Sequence, residues 1–532
     1  MQKFIKMVTT ASIFSAVLMA PAVLAADEPV DHPMITKIRD EGFNRSEVMN
    51  TLEHLTDVIG PRLTGSPAMR EANKWTAKKM AEWGLTNIHE EGFEFGPGWS
   101  MNTSTVEMTL PRRVQLAAYP LSWHPGTDGD LDGNVIYAPM ASKKDFEKYK
   151  GKLAGKMVMV DKISSQREPS NKVFTRHDEK DLGKIGRFRV PTGNQEGIMG
   201  WVDFFNFFYE REQFLAQEGA LAMIRKSPRK AFLIEASAYQ HKEGYNAKIP
   251  GVVMATEHYN RMKRLLDKKM DVAVKLNVDA QYHHDDMNSY NTMGEIKGKT
   301  DEVVMIGAHL DSWFLGDGAA DNGAGVAVSM EAMRILKALN VKPKRTIRIG
   351  LWNGEEQGYF GSQQYVMNHL VDRPDNTDEA FKYMAPYELK YEQFPLSKKK
   401  GYDKFSAYFN LDNGSGKIRG IYAEQNSAAA EIFEAWLKPF HDLDAKTVSM
   451  NDTGGTDHEP FDDVGLPGFQ FIQDDLDYDT RLHHTQMDTF GNVYEKDLKQ
   501  AAVIMASFLY HAAMRDKMMP REMFPQPPKS IK

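Results

Sequence analysis

Between Val303 and Glu356 the chain carries three stretches whose residue types suit metal chemistry. VVMIGAHLDSW sets His309 and Asp311 after an apolar run, and GDGAADNGAGVAVSMEAMRIL sets Asp321 at the head of an amphipathic helix. RTIRIGLWNGEEQG then delivers Glu355 and Glu356 after a second apolar run. Downstream, Asp412 follows AYFNL directly, and the HHTQMDT segment follows GFQFIQ through one loop. Imidazoles and carboxylates are the ligands of a transition-metal site without thiolates. At His309, the side chain of Asp311 can accept the second imidazole N–H and fix the tautomer of a metal-bound ring.

Taken singly, each residue has a simpler role. A histidine at a strand end is often a hydrogen-bonded structural group. Asp321 can be a helix N-cap, the Glu pair a solvated helix start, and Asp412 a turn residue before Asn413-Gly414. Independent caps would not be expected after so many apolar strands of one sheet, so the combination favours a shared crevice.

The elements around these residues suit that role. Apolar strand candidates at 303–308, 346–352, 405–411 and 468–472 alternate with helical patterns at 325–339, 362–369, 427–440 and 495–514. Such alternation predicts a mostly parallel sheet covered by helices on both faces, with ligands at the carboxyl ends of the strands. From residue 35 to about 99 the pattern is helical, with a GPRLTGS turn whose Arg62 is expected to form a structural salt bridge. From about 119 to 284 the character changes to short strands and turns such as NVIYAP, KMVMVDK and IPGVVMA. Within that segment, Trp201, Phe204, Phe205, Phe207 and Phe208 mark an aromatic helix candidate, expected to be buried under its neighbours, with contact to membrane or substrate as the alternative. Asp128, Asp130, Asp132 and Gly133 begin like a calcium loop, but Pro139 stands where its closing glutamate should be.

Bulk properties narrow the function class. The 532 residues exceed one compact core, so two domains are expected. A net charge of −7 with scattered basic residues gives no footprint for nucleic acid. Cysteine is absent, which excludes disulfides, thiolate metal sites and a cysteine nucleophile. Residues 1–25 have a signal-peptide pattern: Lys3 and Lys6, an apolar run from Met7 to Ala20, and Val23-Leu24-Ala25 at the cleavage positions. The run is too short to span a bilayer, so no stable membrane insertion is expected. Cleavage near Ala25 predicts a secreted or periplasmic protein. The expected organisation is a catalytic first segment at 26–118, an inserted β-rich domain at 119–284, a catalytic second segment at 285–515, and a Pro-rich, poorly ordered tail at 516–532.

The motifs GPRLTGSP, HLDSW, GAADNGAG, WNGEEQG, NLDN, GGTDHEPF with GLPG, and HHTQMDT occur in an order that resembles the co-catalytic dizinc peptidase family of secreted aminopeptidases and plasma glutamate carboxypeptidase. The inserted segment resembles a protease-associated domain. The resemblance implies that Asp321 bridges two zinc ions, one also held by His309 and Asp412, the other by Glu356 and His484. His484 rather than His483 is preferred because the family's ligand immediately precedes the Thr or Ser of this motif. Glu355 becomes the general base for a water shared by the metals, and Asp311 and Asp488 support the ligand histidines. His458 lies where the family varies and is a substrate-side candidate. Manganese or cobalt also suits such an oxygen-rich set. The expected function is a metallo-exopeptidase, read first as an aminopeptidase on short peptides. Carboxypeptidase, dipeptidase or amide deacylase action, and a binding protein without activity, are the alternatives.

Overall fold

A computed structural model describes residues 28–164, 172–190, 196–242 and 244–527, and these build two eight-stranded sheets. The signal-peptide pattern at 1–25 lies outside the described residues. The sheet that concerns the site comprises β1 (Thr86–Glu94), β2 (Asn288–Ile296), β3 (Val303–His309), β4 (Thr346–Trp352), β5 (Phe405–Asn410), β6 (Ile418–Tyr422), β7 (Thr447–Ser449) and β8 (Gly468–Gln473). Its strand order is β1-β2-β4-β3-β5-β8-β6-β7. The central pairs β4/β3, β3/β5 and β5/β8 are parallel, while β1/β2, β2/β4 and β8/β6 are antiparallel. The sheet is therefore mixed with a parallel centre, as the alternation of apolar runs and helices predicts.

Helices cover both faces. On one, helix Ala324–Ala338 is buried through Leu336 and packs with His32–Asn44 and Glu495–Met514 around Ile306, Ile349, Phe409 and Phe508. On the other, helix Phe360–His369 joins Trp352, Tyr365, Tyr408 and Phe461 in a second cluster. Fully burying side chains of this size stabilises by roughly 1.5–3 kcal/mol each before conformational entropy is counted. That burial explains why β3, β4 and β5 read as continuous apolar runs rather than as alternating strands.

Chain order matters for the site. After β3 the chain moves to β4 on one side of it, then crosses to β5 on the other side. The two connections diverge at the carboxyl end of β3, which opens a crevice there.

The second sheet takes its strands from residues 98–283 in the order 114–115, 98–110, 273–283, 131–137, 156–159, 222–226, 251–254, 118–120. Strand 98–110 pairs antiparallel with 273–283, so this sheet begins upstream of residue 119.

Two further expectations are corrected. The region 35–99 is not all helical, since β1 occupies Thr86–Glu94 and pairs with β2. Phe93 is buried in β1, but most of its other residues are half-exposed or exposed, so no apolar run announces it. The tail is also packed through Arg521. Met519 is 2% exposed with its N–H on the Ser406 hydroxyl, and Arg521 donates to the Phe405 carbonyl at 2.6 Å. Among the described residues no helix is long and apolar enough to cross a membrane.

Candidate metal centre

His309 is the last residue of β3, at the crevice. Its Nε2 lies 3.2 Å from Asp321 Oδ1, 3.4 Å from Asp412 Oδ1 and 3.9 Å from Glu355 Oε2. His484 Nε2 lies 3.3 Å from Asp321 Oδ2 and 2.9 Å from Glu356 Oε2. All six side chains thus converge, with Asp321 between the two imidazoles. His483 is farther out, with Nε2 3.8 Å from Asp321 Oδ2 and its side chain 35% exposed. Its ring stacks on that of His484 at 3.7 Å.

Local structure explains each placement. Gly354 follows β4 with φ +75°, a conformation that side-chain-bearing residues avoid, and its turn points the Glu pair inward. Asp321 lies in the segment Ala319–Gly323 with non-helical φ −125°, and the Asp321–Asn322 peptide is cis. The cap role falls to Asn322. Its Oδ1 accepts the Gly325 N–H at 2.9 Å, and its Nδ2 donates to the Leu411 carbonyl at 3.0 Å. One amide therefore ties the loop of Asp321 to the strand end that carries Asp412. The simpler roles for Asp321 and the Glu pair do not hold, because Asp321, Glu355 and Glu356 are all buried.

The supporting contacts differ from those expected at three residues. The His309 Nδ1 bond goes to the backbone carbonyl of Asp311 at 2.9 Å, with the Asp311 carboxylate 3.7 Å away. That carboxylate accepts instead from the Thr64 hydroxyl and from the N–H groups of Glu355 and Glu356. Asp488 supports no histidine. Its oxygens accept the N–H groups of Ala320 at 2.6 Å and Asp321 at 3.0 Å, so it orients the loop that carries Asp321, and burial pushes its carboxyl up to about 8. Among the described residues Arg62 forms no salt bridge but donates to the carbonyls of Leu310, Leu55, Gly60, Asp317 and Gly318 at 2.7–3.1 Å. Burial holds its guanidinium down to about 10.

Asp457, within the GGTDHEPF motif, was assigned no role from sequence. It is fully buried, and its Oδ1 accepts the Ser362 hydroxyl at 2.5 Å. Burial raises its carboxyl well above the usual range, opposed by His309 and reinforced by Asp311 and Asp412. His458 is buried with Nε2 on the Thr453 carbonyl at 3.1 Å, and burial holds it down to about 4.

Charge decides what the cluster can hold. Four carboxylates crowd two imidazoles, and among the described residues no lysine or arginine lies within ion-pair distance of them. Burial raises Glu355 well above a normal carboxyl, and Asp412, Asp457 and Glu356 push it further against the pull of His309. One oxygen each of Asp321, Glu356 and Asp412 is buried without a hydrogen-bond partner. Such orphaned anions are costly unless a cation compensates them. Ligand atoms from His309, Asp321 and Asp412 lie within 4.8 Å of one another, as do those of Asp321, His483 and His484. A set of imidazole and carboxylate donors of this kind fits zinc.

Residues 291–509 match the model of peptidase family M28. The matched stretch holds all six residues of the cluster and is similar to that family. It is 28% identical to rat (Rattus norvegicus) carboxypeptidase Q over 472 residues, covering 88% of this chain and 85% of that protein. The fold is shared with a peptidase M28 precursor from Shewanella amazonensis SB2B, at a TM-score of 0.64 and 24% identity, over 93% of this chain and 98% of that one. A zinc aminopeptidase from Bacillus subtilis superposes with a TM-score of 0.57 at 20% identity, over 88% and 96% of the two chains. The crevice at the end of β3 lies within the matched residues and is the candidate active site.

Beyond the cluster lies a cavity of about 770 Å³, whose lining includes Glu355, Glu356, Asp321, Asp412 and His484. Its lining also includes Glu94, Glu388 and Asp479 and, among the described residues, a single lysine, Lys242, whose ammonium donates to the Lys382 carbonyl.

Proposed function

We propose that the chain is a dizinc exopeptidase, secreted or periplasmic, that removes amino-terminal residues from short peptides. His309, Asp321 and Asp412 would hold one ion, and Asp321, Glu356 and His484 the other. When bound, such a pair supplies an acidified water and draws electron density from the scissile carbonyl. Glu355 is the remaining carboxylate of the cluster. It accepts the proton of the attacking water and passes it to the leaving amine. The bond from His309 Nδ1 to the Asp311 carbonyl supports Nε2 as its ligand atom, and Asp488 holds the bridging loop through two N–H groups. The observation that carries this reading is the convergence of orphaned carboxylate oxygens on two imidazoles at the end of β3. The segment 119–284 is proposed to be a protease-associated-like unit whose sheet begins a little earlier, at Gly98.

The charges on the cavity wall favour the free amino end of a peptide. Glu94, Glu388 and Asp479 attract an ammonium, whereas the ammonium of Lys242 already has an acceptor. Similarity to carboxypeptidase Q supports a second reading, removal of residues from the carboxyl end. A panel of dipeptides and tripeptides with free or blocked ends separates the two. The expected result is that blocking the amino end lowers kcat/KM by roughly a hundredfold or more, as loss of a paired charge in a built site does, while blocking the carboxyl end has a small effect. The reverse pattern would establish the second reading, and loss with either block would indicate a dipeptidase.

A further inference from the structure

Helix Glu196–Gln217 connects two parallel strands of the second sheet, 156–159 and 222–226. Its carboxyl half belongs to that sheet's core: Leu215 is fully buried, and Phe214 stacks on Phe146 at 4.6 Å. Its amino half leaves the sheet and reaches the catalytic side. There Val202 is buried with Phe381 and Met384 and Asn206 donates to the Ala380 carbonyl at 3.1 Å, while just past the helix midpoint Tyr209 stacks on Tyr383 at 4.2 Å. The helix therefore spans the two units, and its position is set by both.

The aromatic residues expected to be buried are not uniformly so. Trp201 is 57% exposed and Phe204 47%, yet Trp201 and Phe205 line the cavity above the metal centre and Phe204 does not. From Trp201 a line of ring contacts runs inward: Phe205 at 6.2 Å, then Tyr239 at 5.2 Å, Trp313 at 5.7 Å and His484 at 6.0 Å. Aromatic surface that remains open in a cavity is stabilised when an apolar group covers it, through area burial and ring–ring contact.

Building on the proposed peptidase reading, we propose that Trp201 and Phe205 are specificity-determining residues. They form the wall that receives the side chain of the substrate's terminal residue and select a large apolar or aromatic residue over a small one. The second unit thereby contributes directly to substrate choice through its inserted helix.

The test compares kcat/KM of the full-length zinc enzyme for two otherwise identical peptides with Phe or Ala as the amino-terminal residue. Trp201→Ala and Phe205→Ala are each expected to lower the Phe substrate by roughly tenfold or more, chiefly through KM, and the Ala substrate by less than about threefold. Phe204→Ala, on the same helix but outside the cavity, should leave the ratio unchanged. A binding titration of the Phe peptide to Glu355→Gln enzyme should show a parallel loss of affinity when Trp201→Ala is added, without turnover. Equal losses on both substrates, or an unchanged Phe/Ala ratio, would overturn the assignment while leaving the peptidase reading intact. Wild-type enzyme that cleaves neither peptide would overturn both.

Discussion

Replacing Glu355 with glutamine is expected to lower kcat by about 10²–10⁴-fold while the metal content stays at its wild-type value. Gln has the size of Glu, and the backbone N–H of residue 355 still reaches Asp311 Oδ1 at 3.3 Å, so the turn after β4 should hold its shape. What disappears is the proton acceptor beside the crevice. Under the proposed ligand set Glu355 binds neither ion, which separates it from its neighbour. Glu356→Gln should instead lose one metal, because Glu356 Oε2 is the oxygen 2.9 Å from His484 Nε2. Steady-state kinetics with elemental analysis of the same samples checks both statements. Near-normal turnover in Glu355→Gln would remove the assignment of the base.

The second large effect is on stability. Arg62→Ala is expected to destabilise the fold by about 3–5 kcal/mol, because five carbonyl oxygens lose a buried charged donor at once. Those carbonyls come from the 55–60 segment and from the loop after β3, and the Arg62 N–H also donates to the Ser312 hydroxyl at 3.1 Å. The loop carries Asp311 and leads to Asp321, so activity should fall together with thermal stability. Arg62→Lys should rescue little, since one ammonium has three donors and lacks the reach of the guanidinium fork. Thermal unfolding monitored by circular dichroism measures the loss. A melting temperature within a degree of wild type would show that the carbonyl cage contributes little.

What could be read from the sequence follows from where each feature gets its energy. β3, β4, β5 and β8 are buried on both faces and so appear as uninterrupted apolar runs, and the residues at or just past the ends of three of them are the ligand-type groups. β1 is half exposed and β7 has three residues, so neither leaves a hydrophobic signature. Asp321, Asp412 and the Glu pair were visible because carboxylates after apolar strands are otherwise hard to explain. The actual partners of Asp488 and Arg62 were not visible. Both bind backbone groups contributed by distant segments, and a backbone N–H or carbonyl looks the same in every residue. Trp201 departs from its sequence pattern for a related reason: an aromatic stripe on a helix suggests burial, and only the tertiary arrangement leaves it facing a cavity.

The proposed sharing of two metal ions by Asp321 is decided by counting zinc. Full-length protein equilibrated with zinc and freed of excess should carry two ions per chain by elemental analysis, and Asp321→Ala should carry fewer than one. A wild-type value of one or less, or retention of two ions after Asp321→Ala, would contradict the account.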